Sequence, residues 1–240
     1  MTRKTAGLLG RPVFWLALVA AGATAGCAAW RLNTTAQLVR QSQPFEAQPA
    51  GATSSLLVIG DSTAVGTGAS GPATSLPGLL AQRQPGLRVV NRAADGARWR
   101  DFARQLEASP ERFDRVLVLG GGNDVIRLTA ADQLQGDVRR TAELARARGS
   151  EVVLMPPGNV GNAPFFFPPL SWWMTQRSQA LHQAVKDAAS ATGARYVNLY
   201  KDRAEDPFAQ RPKELHAADG LHPSDAGYGL WLQELAQQTK

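Results

Sequence analysis

The chain has 240 residues, of which 44% are hydrophobic and 19% are charged, an ordinary globular composition with enough apolar residues for one sizeable core. The first 29 residues contain three basic residues and no acid, which leaves 23 basic against 20 acidic residues in the rest of the chain. This near balance of charge, together with the lack of a dense Lys/Arg stripe in the sequence, does not favour nucleic acid as a partner. We expect the protein to be a monomer.

The amino terminus is a basic stretch followed by an uncharged apolar segment, residues 12–30. This order is typical of a signal peptide, and the segment is also long enough for a membrane-spanning helix. The single cysteine, Cys27, lies in Ala-Gly-Cys-Ala, which resembles a bacterial lipoprotein lipobox, although Thr24 stands where a large aliphatic residue is usual. Over residues 1–32 the sequence therefore leaves open a cleaved signal, a lipid anchor and a retained membrane anchor. Each alternative places the domain outside the cytoplasm, in the periplasm or cell envelope.

Residues 33–54 are polar, include Gln and Pro, and show little apolar periodicity. This composition predicts a linker, so we expect the folded domain to cover residues 55–240. Because the one cysteine precedes it, that domain has no disulfide framework and no thiolate metal site.

From residue 55 onward, short apolar runs alternate with longer helical patterns. Runs of this length, bounded by Gly, Pro or Asn, indicate parallel strands buried on both faces. Strands are predicted at residues 56–60, 88–91, 114–120, 151–156 and 195–200. Helices are predicted at residues 75–84, 98–108, 134–148, 172–192 and 224–238. The alternation predicts a doubly wound α/β fold, in which ligands bind beyond the carboxyl ends of the strands.

A glycine-rich stretch follows the first predicted strand. Gly66, Gly68 and Gly71 spell G-x-G-x-x-G, but they begin six residues beyond the strand. The next strand ends in Asn91, where a dinucleotide site needs an acid for the ribose, and no Lys-Ser/Thr follows the glycines as in a P-loop. We interpret these glycines as a loop that leaves Ser62 exposed.

Gly60-Asp61-Ser62 places a hydroxyl where the same strand ends. A serine nucleophile needs a base, an acid that orients the base, and donors for the oxyanion. Asp219 and His222 stand three apart in a loop before the last helix and suit the first two roles. Asn123 and Gly96, which follow the third and second strands, suit the last.

The sequence motifs that contain Ser62, Gly96, Asn123 and the Asp219/His222 pair occur in this order along the chain. Together they resemble the motifs of the SGNH, or GDSL-type, hydrolase family, and the resemblance covers roughly residues 55–238. Thr63 departs from the leucine that is common in GDSL sequences. The resemblance implies a three-layer α/β/α sandwich with a five-stranded parallel sheet of flavodoxin-like strand order. It also implies a serine esterase that needs no metal or organic cofactor. In that esterase the catalytic residues are Ser62, Asp219 and His222, and the oxyanion hole is formed by Ser62, Gly96 and Asn123.

Four further ionisable residues are expected to have structural roles. Asp61 and Asp124 follow strand ends, where a carboxylate supports its loop by hydrogen bonds. His182 lies in a helical pattern and His216 in a polar loop, and neither position indicates catalysis.

Residues 155–173 are rich in Pro, Phe and Trp and follow a strand end. Such a loop packs as a satellite core or lines a pocket for an apolar group. We expect the substrate pocket to be lined by Phe165, Phe166, Phe167, Trp172 and Trp173. The favoured substrate is an acyl ester or lysophospholipid. The alternatives are an O-acetylated envelope glycan and, without hydrolysis, a membrane-tethered glycan-binding or acyltransferase accessory domain.

Overall fold

The computed structural model describes residues 10–240 and, within the first helix, mainly the side chains from residue 26 onward. All neighbouring strands of its single five-stranded sheet are parallel. The strands are β1 (Ser54–Gly60), β2 (Leu87–Asn91), β3 (Phe113–Leu119), β4 (Gly149–Met155) and β5 (Arg195–Tyr196). Their order is β2-β1-β3-β4-β5, the flavodoxin-like order, which confirms the predicted fold.

Ten α-helices surround the sheet in the described part of the chain. They are α1 (Gly10–Gln41), α2 (Ser62–Val65), α3 (Leu76–Arg83), α4 (Trp99–Glu107), α5 (Gly122–Ile126), α6 (Ala131–Arg148), α7 (Leu170–Thr192), α8 (Pro207–Gln210), α9 (Pro212–Leu215) and α10 (Asp225–Gln238). Two short 3-10 helices cover Pro72–Thr74 and Val160–Asn162. The predicted strands and long helices are confirmed within a few residues, apart from β5. That strand covers only Arg195–Tyr196; the Val197 N–H still donates to the Leu154 carbonyl of β4 at 3.0 Å, and the Asn198 N–H, on the opposite side of the chain, donates to the Gln238 side chain at 2.8 Å.

Two apolar cores lie on opposite faces of the sheet. Leu57 and Ile59 point to one core, which they share with helices α4, α6 and α7. Their neighbours Leu56 and Val58 point to the other, shared with α3 and α10. Because successive strand side chains alternate between faces, a strand buried on both sides needs apolar residues throughout. The result is the three-layer sandwich.

Helix α1 runs through most of the predicted export segment. Residues 1–9, which carry the basic start of that segment, lie outside the described residues. Cys27 is exposed on the helix. Among the helices of residues 10–240, none combines the length and apolar character needed to cross a membrane.

The structure corrects the linker predicted at residues 33–54. Helix α1 continues to Gln41, and Phe45 and Ala47 then pack against the apolar core beside α3. Ala47 also forms an antiparallel bridge with Val89 at the edge of β2. The partners of this segment are distant in sequence, so its polar composition does not reveal that it is bound to the domain.

Candidate active site

Ser62 lies at the junction between β1 and α2. The Asp61 carboxylate caps α2 by accepting hydrogen bonds from the N–H and hydroxyl of Thr63, at 2.9 and 2.7 Å. Gly60, with φ of 150°, allows the chain to turn here, because a Cβ at this position would meet the Leu119 carbonyl oxygen at 1.8 Å. Ser62 is therefore held at the carboxyl end of β1, an interior strand of the sheet.

Asp61 also connects this turn to the loop that precedes Asn123. Its second oxygen accepts the Gly121 N–H at 2.8 Å. Burial raises the pKa of Asp61, and its hydrogen bonds occupy both oxygens. These contacts confirm the supporting role predicted for this residue.

Asp219, His222 and Ser62 form a continuous chain of hydrogen bonds. His222 Nδ1 lies 2.7 Å from Asp219 Oδ2, and His222 Nε2 lies 2.9 Å from Ser62 Oγ. The other Asp219 oxygen accepts the backbone N–H groups of Leu221 and His222, at 2.9 and 3.1 Å. Burial alone would raise the pKa of Asp219, but the hydrogen bond and charge of His222 and these backbone donors together lower it. With Nδ1 held by the carboxylate, the imidazole presents Nε2 to Ser62 Oγ.

The three residues predicted to form the oxyanion hole, Ser62, Gly96 and Asn123, all line one cavity. Within residues 10–240, the backbone N–H groups of Ser62 and Gly96 and the Asn123 amide donate to no protein acceptor. Gly96 is in the left-handed region with φ of 75°, which glycine adopts without strain. Free donors beside a nucleophile are the arrangement that binds an oxyanion.

The glycine-rich loop packs against the histidine and does not expose the serine. Ser62 is only 8% exposed, so the prediction that the glycine-rich loop leaves Ser62 exposed is wrong. Gly68, with φ of 95°, lies so close to the His222 loop that a Cβ would meet the Pro223 carbonyl oxygen at 2.5 Å and His222 Cβ at 2.9 Å. Its missing side chain leaves room for the backbone of the His222 loop.

A cavity of about 270 Å³ is lined by Ser62 and His222. The charged groups in its lining are already paired. Lys201 contacts Glu234 at 2.7 Å, and Asp206 accepts from the Asn162 amide at 2.7 Å. Its large apolar lining residues are Val39, Ile126, Val160, Leu199, Phe208, Leu221, Leu230 and Trp231.

The aromatic residues predicted to line the pocket do not do so in the described chain. Phe166 joins the core beside α7, and Phe165 packs against the same core. Phe167, Trp172 and Trp173 are 56%, 67% and 56% exposed. The physical reason is that helix α7 begins within this segment and turns the tryptophans toward solvent, while residues after β5 and on α10 fill the cavity wall.

The other ionisable residues have structural partners. Asp124 accepts the Trp99 N–H and the Thr129 hydroxyl, and burial raises its pKa to about 6. His182 contacts the Tyr196 hydroxyl and the Pro157 carbonyl, and burial lowers its pKa to about 4. These contacts confirm the structural roles predicted for both. His216 contacts the Pro212 carbonyl but also lines the cavity, and burial lowers its pKa.

Sequence reasoning missed the residues that α1 contributes. The Thr35 hydroxyl donates to Asp219 Oδ2 at 3.0 Å, and Thr35 and Val39 line the cavity. Arg31 donates to the carbonyl oxygens of Pro164 and Phe165. No motif marks these positions. The one available signal is their spacing of four residues, which places them on one face of a helix.

Comparison with known proteins agrees with this geometry. Residues 58–230 match the GDSL-like lipase/acylhydrolase family, and the chain belongs to that family. It is a carboxylic ester hydrolase of SGNH type. No curated protein matches the sequence.

Solved structures share the fold. TesA is 25% identical with a TM-score of 0.61, over 78% of this chain and 98% of that one. The acetylxylan esterase Axe2 from Geobacillus stearothermophilus is also 25% identical, with a TM-score of 0.56 over 78% and 94% of the two chains. LAE5, an alpha/beta hydrolase from the metagenome of Lake Arreo, Spain, is 22% identical with a TM-score of 0.60 over 79% and 96%, and it is similar in fold.

Proposed function

We propose that this enzyme hydrolyses esters of an apolar acyl group through an acyl-enzyme on Ser62. The observation that carries the proposal is the unbroken chain from Asp219 through His222 to Ser62 Oγ, with contacts of 2.7 and 2.9 Å, at the mouth of the cavity. It supplies a nucleophile, its base and the acid that orients the base.

The reaction begins when His222 Nε2 takes the proton of Ser62 Oγ as that oxygen attacks the ester carbonyl. The negative charge on the carbonyl oxygen is stabilised by the N–H groups of Ser62 and Gly96 and by the Asn123 amide. The bond to the leaving oxygen then breaks, and His222 returns the proton to that oxygen. His222 next takes a proton from a water as that water attacks the acyl carbonyl. The bond to Ser62 Oγ then breaks and His222 returns the proton to Oγ, which releases the acid and restores Ser62, while Asp219 stays ionised and holds the tautomer.

The cavity wall supports an apolar acyl group over a sugar. Lys201 and Glu234 form an ion pair and Asp206 accepts from the Asn162 amide, so these three charged side chains already have partners other than a sugar hydroxyl group. Burying each methylene of an acyl chain contributes about 0.8 kcal/mol. A volume of about 270 Å³ is just below the range of roughly 300–1,000 Å³ that holds drug-sized ligands. We therefore propose short to medium acyl chains, as in simple acyl esters or lysophospholipids.

The similarity to an acetylxylan esterase supports a second candidate, an O-acetyl ester of an envelope glycan. Profiling kcat/KM over C2, C4, C6 and C8 p-nitrophenyl esters beside acetylated xylo-oligosaccharides separates the two. Rising values with chain length support the acyl ester. A preference for the acetylated sugar over every p-nitrophenyl ester would instead assign the glycan. Labelling by a fluorophosphonate distinguishes both from a non-hydrolytic glycan-binding domain, which would not react.

Location outside the cytoplasm, with the domain held at the membrane by its amino terminus, is also our proposal. It is supported by the uncharged residues 12–30 and by Cys27 within a lipobox-like sequence. Mass spectrometry of the mature protein tests it, since a lipidated, a cleaved and an intact amino terminus differ in mass. An intact, unmodified chain found in the cytosolic fraction would contradict it.

The decisive test of the activity is Ser62→Ala. We expect a loss of roughly 10³-fold or more in kcat/KM for a short p-nitrophenyl ester, with an unchanged circular dichroism spectrum. The exposed helical Ser190 provides the matched control, since Ser190→Ala removes a hydroxyl far from the cavity. Activity of Ser62→Ala equal to that of the wild type would reject the proposal.

A further inference from the structure

One face of α1 is directed at the active site. Arg31, Thr35 and Val39 recur every fourth residue, so they lie above one another on the helix. Each contacts the catalytic end of the domain: Arg31 by its guanidinium, Thr35 by its hydroxyl, and Val39 as part of the cavity lining.

Arg31 fixes α1 to the segment beside the Asp219 loop. Its guanidinium donates to the Pro164 and Phe165 carbonyl oxygens, and it stacks over the Phe167 ring at 4.7 Å. The Phe165 N–H in turn donates to the Gly220 carbonyl at 2.9 Å, and Gly220 follows Asp219 directly. The helix, the aromatic segment and the catalytic loop are thus connected by consecutive hydrogen bonds.

Thr35 completes the hydrogen bonding of the Asp219 carboxylate. Oδ1 accepts the N–H groups of Leu221 and His222, and Oδ2 accepts His222 Nδ1 at 2.7 Å. The fourth donor is the Thr35 hydroxyl, 3.0 Å from Oδ2 and 184 residues away in sequence. Three donors thus come from the catalytic loop itself, and Thr35 is the one that ties the carboxylate to another part of the protein.

We infer that Thr35 is a positioning residue, which holds the Asp219 carboxylate in the orientation that directs His222 toward Ser62. The inference rests on the proposed function of these three residues. It makes residues 31–39 of α1 part of the active site, although they precede the predicted hydrolase domain. A carboxylate that loses one of four donors can rotate about its last bond, so the imidazole spends less time aligned with Ser62.

The test compares Thr35→Val, Thr35→Ser and Thr34→Val in the full chain with a short p-nitrophenyl ester. Valine keeps the shape of threonine and removes its hydroxyl, while serine keeps the hydroxyl. Thr34 is the matched control because its hydroxyl bonds only the Trp30 carbonyl of its own helix. We expect Thr35→Val to lower kcat roughly ten-fold with KM within about two-fold, Thr35→Ser to recover most of kcat, and Thr34→Val to match the wild type.

A double-mutant cycle with Asp219→Ala identifies the route of the effect. If Thr35 acts through the carboxylate, Thr35→Val should cost nothing further once that carboxylate is gone. Wild-type kcat for Thr35→Val, equal losses for Val and Ser, or a full ten-fold loss in the Asp219→Ala background would each overturn the inference. Melting temperatures of all variants identify any that lose activity by unfolding. Ser62→Ala measured in parallel separates the two failures, because activity independent of Ser62 removes the proposed function itself.

Discussion

Two apolar regions lie near Ser62, and they differ in what they contact. The cavity is lined by aliphatic and aromatic residues drawn from several separate parts of the chain, including α1 and α10. The segment of residues 164–173 has the denser run of aromatic residues, yet its side chains enter the core or face solvent. The position of the pocket therefore depends on which elements meet at the carboxyl ends of the strands. A high density of aromatic residues in one loop does not predict where the pocket lies.

The largest expected effect among the tests of this comparison comes from Asn123, which we propose as an oxyanion donor in the cavity. Asn123→Ala should lower kcat by about 10²–10³-fold, with a smaller change in KM, because its amide binds the charged intermediate more strongly than the substrate. Steady-state kinetics with a p-nitrophenyl ester measures this, with the exposed Asn33→Ala as control. A rise in KM at constant kcat would show that Asn123 binds the ground state only.

An intermediate effect is expected where α1 forms the cavity wall. Val39→Phe fills part of the cavity, so an eight-carbon ester should lose about ten-fold in kcat/KM while an acetyl ester changes little. Excluding two methylenes, at about 0.8 kcal/mol each, gives a loss of this size. Gln37→Phe adds the same ring to an exposed position of the same helix and should leave the chain-length profile unchanged. Equal losses for both esters would mean that Val39 does not contact the acyl group.

The smallest effect is expected in the aromatic segment. Trp172→Ala and Trp173→Ala, singly and together, should change kcat/KM for soluble esters by less than about two-fold, because both side chains are more than half exposed and lie outside the cavity lining. Kinetics over the C2 to C8 series measures this. A loss of five-fold or more would mean that these tryptophans do contact the substrate, and that the two regions do not differ in this respect.

Much of the fold and the central site follows from local sequence. The apolar runs that end at Gly60, Asn91 and Gly120 predict strands because each must be buried on both faces. The Asp219 and His222 pair is recognisable because its two members lie three residues apart. Parallel strands bring their carboxyl ends to one edge, and for that reason the order of strands and motifs along the chain is enough to assign Ser62 and Asn123 to one site.

Tertiary structure alone decided the rest. The contact between Thr35 and Asp219 joins residues 184 positions apart, and neither residue has neighbours that indicate the other. The burial of Ser62 depends on the loop that brings Gly68 against His222. Residues 33–54 have a polar composition, yet in the folded protein they pack against the domain. Local sequence determines periodicity and turn chemistry, whereas the cavity wall and the donors around a carboxylate depend on distant elements that meet only when the cores on both faces of the sheet have packed.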